Sequence, residues 1–209
     1  MGVSVLIDPR LFDEYLDDAL KEYVTSLETA GGRARTQHKP RSWGLLFGRV
    51  EDDLVRIESL RFALNVRETD ERVLEEFREV IVPCFGAGYT DKGRGFWCDS
   101  AEQLRLTREA QAQGLELVGS LHMHPDWQSI GPANERRQHV SEHPTEMDEY
   151  VYRNTGWPVN MICYLESRGE DITYTVAAWS APPFDDPDRH PEPIPIRTKL
   201  AATPAARSW

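Results

Sequence analysis

The sequence predicts an α+β domain, a sheet flanked by helices, and three observations predict it. A long amphipathic helix opens the chain, two antiparallel strand pairs with strong β composition lie at separate places along it, and between them a second helix feeds one short strand. At 209 residues and 40% hydrophobic content, the chain is long enough to bury one core and short enough to be one domain. That domain is expected over residues 1–179, with a proline-rich extended tail over 180–209.

From Pro9 to about Leu27, Leu11, Phe12, Tyr15, Leu16, Ala19, Leu20, Tyr23 and Val24 recur at helical spacing, with Asp8 placed to cap and Pro9 at the first helical position. The glycine-rich, basic stretch Gly31 to Arg41 has no apolar period and reads as a surface loop. Trp43 to Val50 and Leu54 to Leu64 read as a hairpin joined by the acidic turn at 51–53. Arg67 to Arg78 carries Val73, Leu74 and Phe77 among charges and reads as a short exposed helix, followed by an extended piece at Val80 to Pro83. Ser100 starts a helix that Gly114 closes, feeding a strand from Leu115 to His122. A helix from Pro144-Thr145 turns Met147, Tyr150 and Val151 inward, and Pro158 to Leu165 pairs with Thr173 to Trp179. Half of the chain's 14 prolines follow Ser180, which predicts an extended, largely unpacked end.

Composition excludes several classes of function. The net charge of −11 argues against a nucleic-acid binder, which needs a concentrated basic surface. No apolar run approaches the ~20 residues of a membrane span, and the opening residues have neither the basic lead nor the cleavage site of a secretory signal. Cys84, Cys98 and Cys163 are odd in number and widely spaced, which suits reduced thiols and a cytoplasmic protein. The glycine groups at 86–88 and 93–95 have no phosphate-loop or dinucleotide spacing. Trp43, Trp97, Trp157 and Trp179 read as core or cover residues.

The residues that carry chemistry are His122 and His124. Side chains two apart on a strand share a face, so both imidazoles can reach one ion, and imidazole suits zinc. No His-Glu-x-x-His occurs, and no cysteine pairing suits a zinc finger.

The flanks extend the pattern: Gly119-Ser120-Leu121-His122-Met123-His124-Pro125 is followed, at the start of a helix, by Pro144-Thr145-Glu146-Met147-Asp148. This resembles the prokaryotic-type JAMM, or MPN-plus, zinc metalloproteases, in which His-x-His-Pro precedes Ser-x-x-Asp. The resemblance runs from about Phe12 to Trp179, with Trp43-Gly44-Leu45-Leu46-Phe47-Gly48 looking like the family's first strand. It implies a JAMM/MPN-like, cytidine-deaminase-like fold. It implies Zn2+ held by His122, His124 and Asp148, with Thr145 standing in for the serine that assists at the reacting carbonyl. The implied activity is hydrolysis of a peptide or isopeptide bond at the C-terminal tail of a ubiquitin-like or sulfur-carrier protein.

The chain departs from the family in three places. Three residues before Gly44, where the family carries its general-base glutamate, stands Arg41, which stays protonated and cannot take a proton. Glu28, in Leu27-Glu28-Thr29-Ala30-Gly31, resembles a displaced copy of that strand start and is the foremost replacement base; Glu58, Asp126, Glu142 and Glu146 rank behind it. An insertion, Trp127 to His143, carries Arg136, Arg137, His139 and His143, and threonine replaces serine at 145. Two other functions fit the same residues: a catalytically impaired member of the fold that binds a protein partner, and a zinc hydrolase of a small amide.

Overall fold

In the computed structural model, which describes residues 3–29, 42–92, 95–125, 143–168, 171–186 and 188–198, a seven-stranded mixed sheet separates two layers of helices. The strands are β1 (Ser4–Ile7), β2 (Trp43–Glu51), β3 (Leu54–Phe62), β4 (Glu116–Pro125), β5 (Val159–Arg168), β6 (Asp171–Trp179) and β7 (Ile196–Thr198), in the order β6-β5-β4-β2-β3-β1-β7. β4 runs parallel to β5, and β1 parallel to β3 and β7; the other pairings are antiparallel. This is a single α+β domain, as the composition predicts.

Helix α1 (Pro9–Thr29) covers one face of the sheet. Asp8 accepts the Arg10 N–H at 3.0 Å, and the periodic residues Tyr15, Leu16, Ala19 and Tyr23 are buried against Leu46, Leu121, Met161 and their neighbours. The Tyr15 hydroxyl donates to the Ser42 carbonyl at 3.1 Å and so fixes the entry into β2, the strand beside the histidines. The opposite face is covered by α4 (Ser100–Gln111), which buries Leu106 and Ala110 against Leu45 and Phe47, and by α5 (Glu146–Thr155). Asp99 caps α4 by accepting the Glu102 N–H at 2.7 Å, and Gly114 turns the chain toward β4 with φ +73°.

The structure corrects four sequence expectations. Val80 to Pro83 is helical: α2 (Glu71–Glu76) passes through a π turn (Phe77–Ile81) into α3 (Val82–Phe85). Val73, Phe77 and Ile81, four apart and all buried, impose the helical period over the β-branched composition, and the wide turn, in which the Val82 N–H reaches the Phe77 carbonyl, admits the Pro83 ring. The inward residue that the sequence misses in α5 is Tyr152, fully buried, whereas Tyr150 and Val151 are half-buried. The short strand β1 was not expected; it enters the sheet beside β3.

The fourth correction concerns the end of the chain. Over residues 180–186 and 188–198 it packs on the domain as a strap between the two sheet edges, and the rest of the expected tail, 199–209, lies outside the described residues. Trp179 bridges to Pro193, the Ile194 N–H donates to the Ala178 carbonyl at 2.8 Å, and β7 pairs with β1. Proline lacks a donor but keeps its carbonyl. Arg153 donates to the Pro183, Asp186 and Arg189 carbonyls at 2.6, 2.6 and 2.7 Å, and the Val5 N–H donates to the Pro195 carbonyl at 2.9 Å. The strap thus nearly closes the sheet and braces α5. Among the described residues, no helix is long and apolar enough to cross a membrane.

Candidate metal centre

β4 carries both histidines, and it extends three residues beyond His122, so the pair lies within the strand rather than at its end. His122 stands opposite Trp43 of β2 and Ile162 of β5, and His124 stands opposite Tyr164 of β5, which puts both imidazoles on the face covered by α4 and α5. The close approach of β5 depends on Gly119: a Cβ there would lie 1.8 Å from the Val159 carbonyl oxygen.

Asp148 arrives from the first turn of α5. Thr145 is the N-cap, and the two residues form a reciprocal capping box. The Thr145 N–H and hydroxyl both donate to Asp148 Oδ2 at 2.8 Å, while Thr145 Oγ1 accepts the Asp148 N–H at 3.2 Å. The hydroxyl that the sequence resemblance assigns to a reacting carbonyl therefore gives its hydrogen to Asp148. With Oδ2 held this way, Oδ1 faces His122 Nε2 at 3.2 Å, and His124 Nε2 lies 3.5 Å from Oδ2. The two Nε2 atoms are 3.0 Å apart.

The three side chains are buried or nearly so, and their ligand atoms lie within 4.8 Å of one another. Ligand atoms about 2.05 Å from a tetrahedral zinc are about 3.3 Å from each other. The 3.0 Å between the two Nε2 atoms and the 3.2 Å from His122 Nε2 to Asp148 Oδ1 lie near that spacing, while His124 Nε2 approaches the other carboxylate oxygen, Oδ2, at 3.5 Å. The donor set of two imidazoles and one carboxylate also suits zinc. Burial alone would push the Asp148 carboxyl up, but the neighbouring charges of His124 and His122 and their hydrogen bonds hold it well below the usual carboxylate range. It is therefore an anion ready to ligate at neutral pH, and the helix N-terminus favours that charge further.

Thr145 acts here on a ligand, so its removal should be felt at the metal. Thr145→Ala is expected to lower stability by about 1 kcal/mol through the lost cap and metal affinity by about tenfold through the freed carboxylate. Thr145→Ser should restore both, as read by thermal unfolding and chelator competition.

The aromatic surroundings were not legible as part of a site. The Trp43 ring stacks on His122 with centroids 5.4 Å apart and planes 20° apart, and Phe96 stacks on Trp43 at 4.3 Å and 9°. Tyr164 meets His124 edge-on at 5.5 Å. Only the β2–β4 register, which no local signal in the sequence reveals, brings Trp43 to His122. Burial, with Asp148 adding to it, raises the Tyr152 and Tyr164 hydroxyls above their ordinary range. Burial also pushes the Cys98 and Cys163 thiols up to about 12, so neither is a thiolate nucleophile at neutral pH.

Of the carboxylates weighed as a general base, Glu58 is exposed and pairs with Arg49 at 3.3 Å, and Glu146 is exposed on α5. Glu28 falls in the last turn of α1, so residues 27–29 are helical in backbone; its side chain, Arg41, and residues 126–142, which include Asp126, Glu142 and all of the insertion but His143, lie outside the described residues. Among the described residues, the histidine–aspartate group gains no second carboxylate.

No protein-family description and no curated protein matches the chain. Among solved structures, it is similar to protein DSY2949 from Desulfitobacterium hafniense, with 14% identity over 94% of each chain and a TM-score of 0.52. A protein from Salinibacter ruber aligns at 20% identity over 94% of this chain and 92% of its own, with a TM-score of 0.39. The first of these likenesses shows the fold, a single α+β domain, and the fold alone.

Proposed function

We propose that the protein is a cytoplasmic JAMM-like zinc metallopeptidase or isopeptidase that hydrolyses a bond at the C-terminal tail of a ubiquitin-like or sulfur-carrier protein. The observation that carries this reading is the convergence of His122, His124 and Asp148, whose ligand atoms lie within 4.8 Å of one another. It coincides with the His-x-His-Pro and Thr-x-x-Asp motifs of the sequence. Zinc held there supplies Lewis-acid activation of water and of the scissile carbonyl. His122 and His124 offer their Nε2 atoms, Asp148 offers a carboxylate oxygen, and Thr145 holds Asp148 in the ligating orientation. Glu28 is the proposed proton acceptor in place of the family glutamate, since Arg41 cannot serve.

A second reading, a zinc-binding but non-hydrolytic protein-interaction domain, draws on the lack of a second carboxylate in the group among the described residues. Purified protein with measured zinc content, challenged with linear and isopeptide-linked ubiquitin-like fusions, separates the two. The peptidase reading expects cleavage that chelator and His122→Ala abolish, and loss of about 100-fold or more in rate for Glu28→Gln. Full zinc occupancy with no cleavage would favour the second reading, and parent-like activity of Glu28→Gln would dismiss that residue as the base.

A further inference from the structure

We propose that Trp43 is a positioning residue of the metal centre: its indole, backed by Phe96, fixes the His122 ring and stabilises it in the metal-loaded state. The proposal rests on the reading of His122, His124 and Asp148 as a zinc site.

Imidazole ligands of zinc are ordinarily oriented by a hydrogen bond to the nitrogen that does not bind the metal. His122 Nδ1 is buried and has no such partner among the described residues, so something else must set the ring. The three parallel rings do this. Trp43 is buried, stands directly opposite His122 in the β2–β4 register, and lies between His122 and Phe96. Spacings of 4.3 and 5.4 Å are those of offset-stacked aromatics.

The outer ring of the column is itself anchored. Asn65 Oδ1 accepts the Trp97 N–H at 3.1 Å and the Arg67 N–H at 3.0 Å, and the Val66 N–H donates to the Trp97 carbonyl at 2.9 Å. Gly95, at φ +80°, lies where an added Cβ would come within 3.3 Å of the Phe77 ring and 3.7 Å of the Met147 methyl, and Met147 is the neighbour of Asp148. The loop that delivers Phe96 is thus tied to β3's exit and lies close to the helix that bears Asp148.

An imidazole that donates its lone pair to a divalent cation becomes positively polarised, and the face of an indole attracts positive charge. Trp43 therefore favours the loaded form of His122 over the free one. Tyr164, meeting His124 edge-on at 84°, offers no equivalent face-to-face stack to the other histidine.

The test uses the full chain with Co2+ and Zn2+, affinity by chelator competition and intrinsic tryptophan fluorescence. In the parent, Co2+ should quench emission. Trp43→Phe, which keeps a stacked ring, should retain affinity within about threefold and lose most of the quenching; Trp43→Ala should weaken affinity about 3- to 30-fold. Phe96→Ala, at a half-exposed position, should weaken it less. If Trp43→Ala does not fold, Phe96→Ala and the fluorescence of Trp43→Phe decide the matter. Parent-like affinity of folded Trp43→Ala, or undiminished quenching in Trp43→Phe, would overturn the proposal while leaving the zinc site standing. A parent that binds neither metal would remove the zinc reading and this inference together.

Discussion

Replacing His122 with alanine is expected to weaken zinc binding by roughly 100-fold or more, the largest functional effect in the protein. Structural zinc sites are worth on the order of 10–16 kcal/mol shared over four ligands, so one protein ligand carries about 3 kcal/mol. His122 is buried, close to both other ligands at 3.0 and 3.2 Å, and held by Trp43, so neither water nor a neighbouring side chain can take its place in the same geometry. The fold should survive, because the ring belongs to none of the apolar clusters. Chelator competition on parent and variant, with the unfolding midpoint measured for each without metal, checks both halves of this expectation.

Gly119→Ala is expected to be severely damaging to the fold. The added Cβ would sit 1.8 Å from the Val159 carbonyl oxygen and 2.8 Å from its carbon, both backbone atoms that cannot swing aside. β4 and β5 would have to separate where their parallel pairing begins, at Gly119 and Val159. Overpacking of this kind typically costs 1–3 kcal/mol, and a backbone clash puts this site at the upper end or beyond, about 3 kcal/mol. For a chain of this size that corresponds to a fall of about 6–12 °C in the unfolding midpoint. Because Gly119 precedes His122 by three residues on the same strand, metal affinity should fall with it. A thermal melt unchanged within a degree or two would mean that the strands are not so closely apposed. Gly48 offers an independent comparison, since a Cβ there would meet the Arg56 carbonyl oxygen at the same 1.8 Å on the far side of β2.

Much of the fold was legible because its signals are local. The apolar period of α1, the strand composition of β2, β3, β5 and β6, and the helix start at Ser100 and stop at Gly114 each act within a few residues, and each element formed where those signals lie. What was not legible depends on distant partners. β1 is four residues long and exists because β3 and β7 flank it. Val80 to Pro83 has the composition of a strand, yet the burial of Val73, Phe77 and Ile81 on one face makes it helical. The strap was misread because proline count measures missing donors and says nothing of the carbonyls that Arg153 and Val5 use.

The site divides the same way. His122 and His124 follow from two-residue spacing on a strand, and Asp148 with Thr145 follows from a helix start, so their residue types and positions were visible in the sequence. Their convergence is tertiary, since it requires α5 to be braced on the sheet so that its first turn faces β4. Trp43 was visible only as an aromatic residue in a strand; its contact with His122 comes from the register between β2 and β4. The reach of Glu28 depends on more than its place at the end of α1, and that dependence is what the Glu28→Gln measurement probes.

The central claim is that two histidines of one strand and the capped aspartate of one helix hold a single zinc ion. X-ray absorption at the zinc edge, on protein loaded with one equivalent and freed of excess metal, tests it most directly. The expected result is a four-coordinate shell of nitrogen and oxygen at about 2.0–2.2 Å with the outer-shell scattering of two imidazole rings. Failure to retain zinc, or a sulfur contribution at about 2.3 Å, the distance of cysteine ligation, would contradict it.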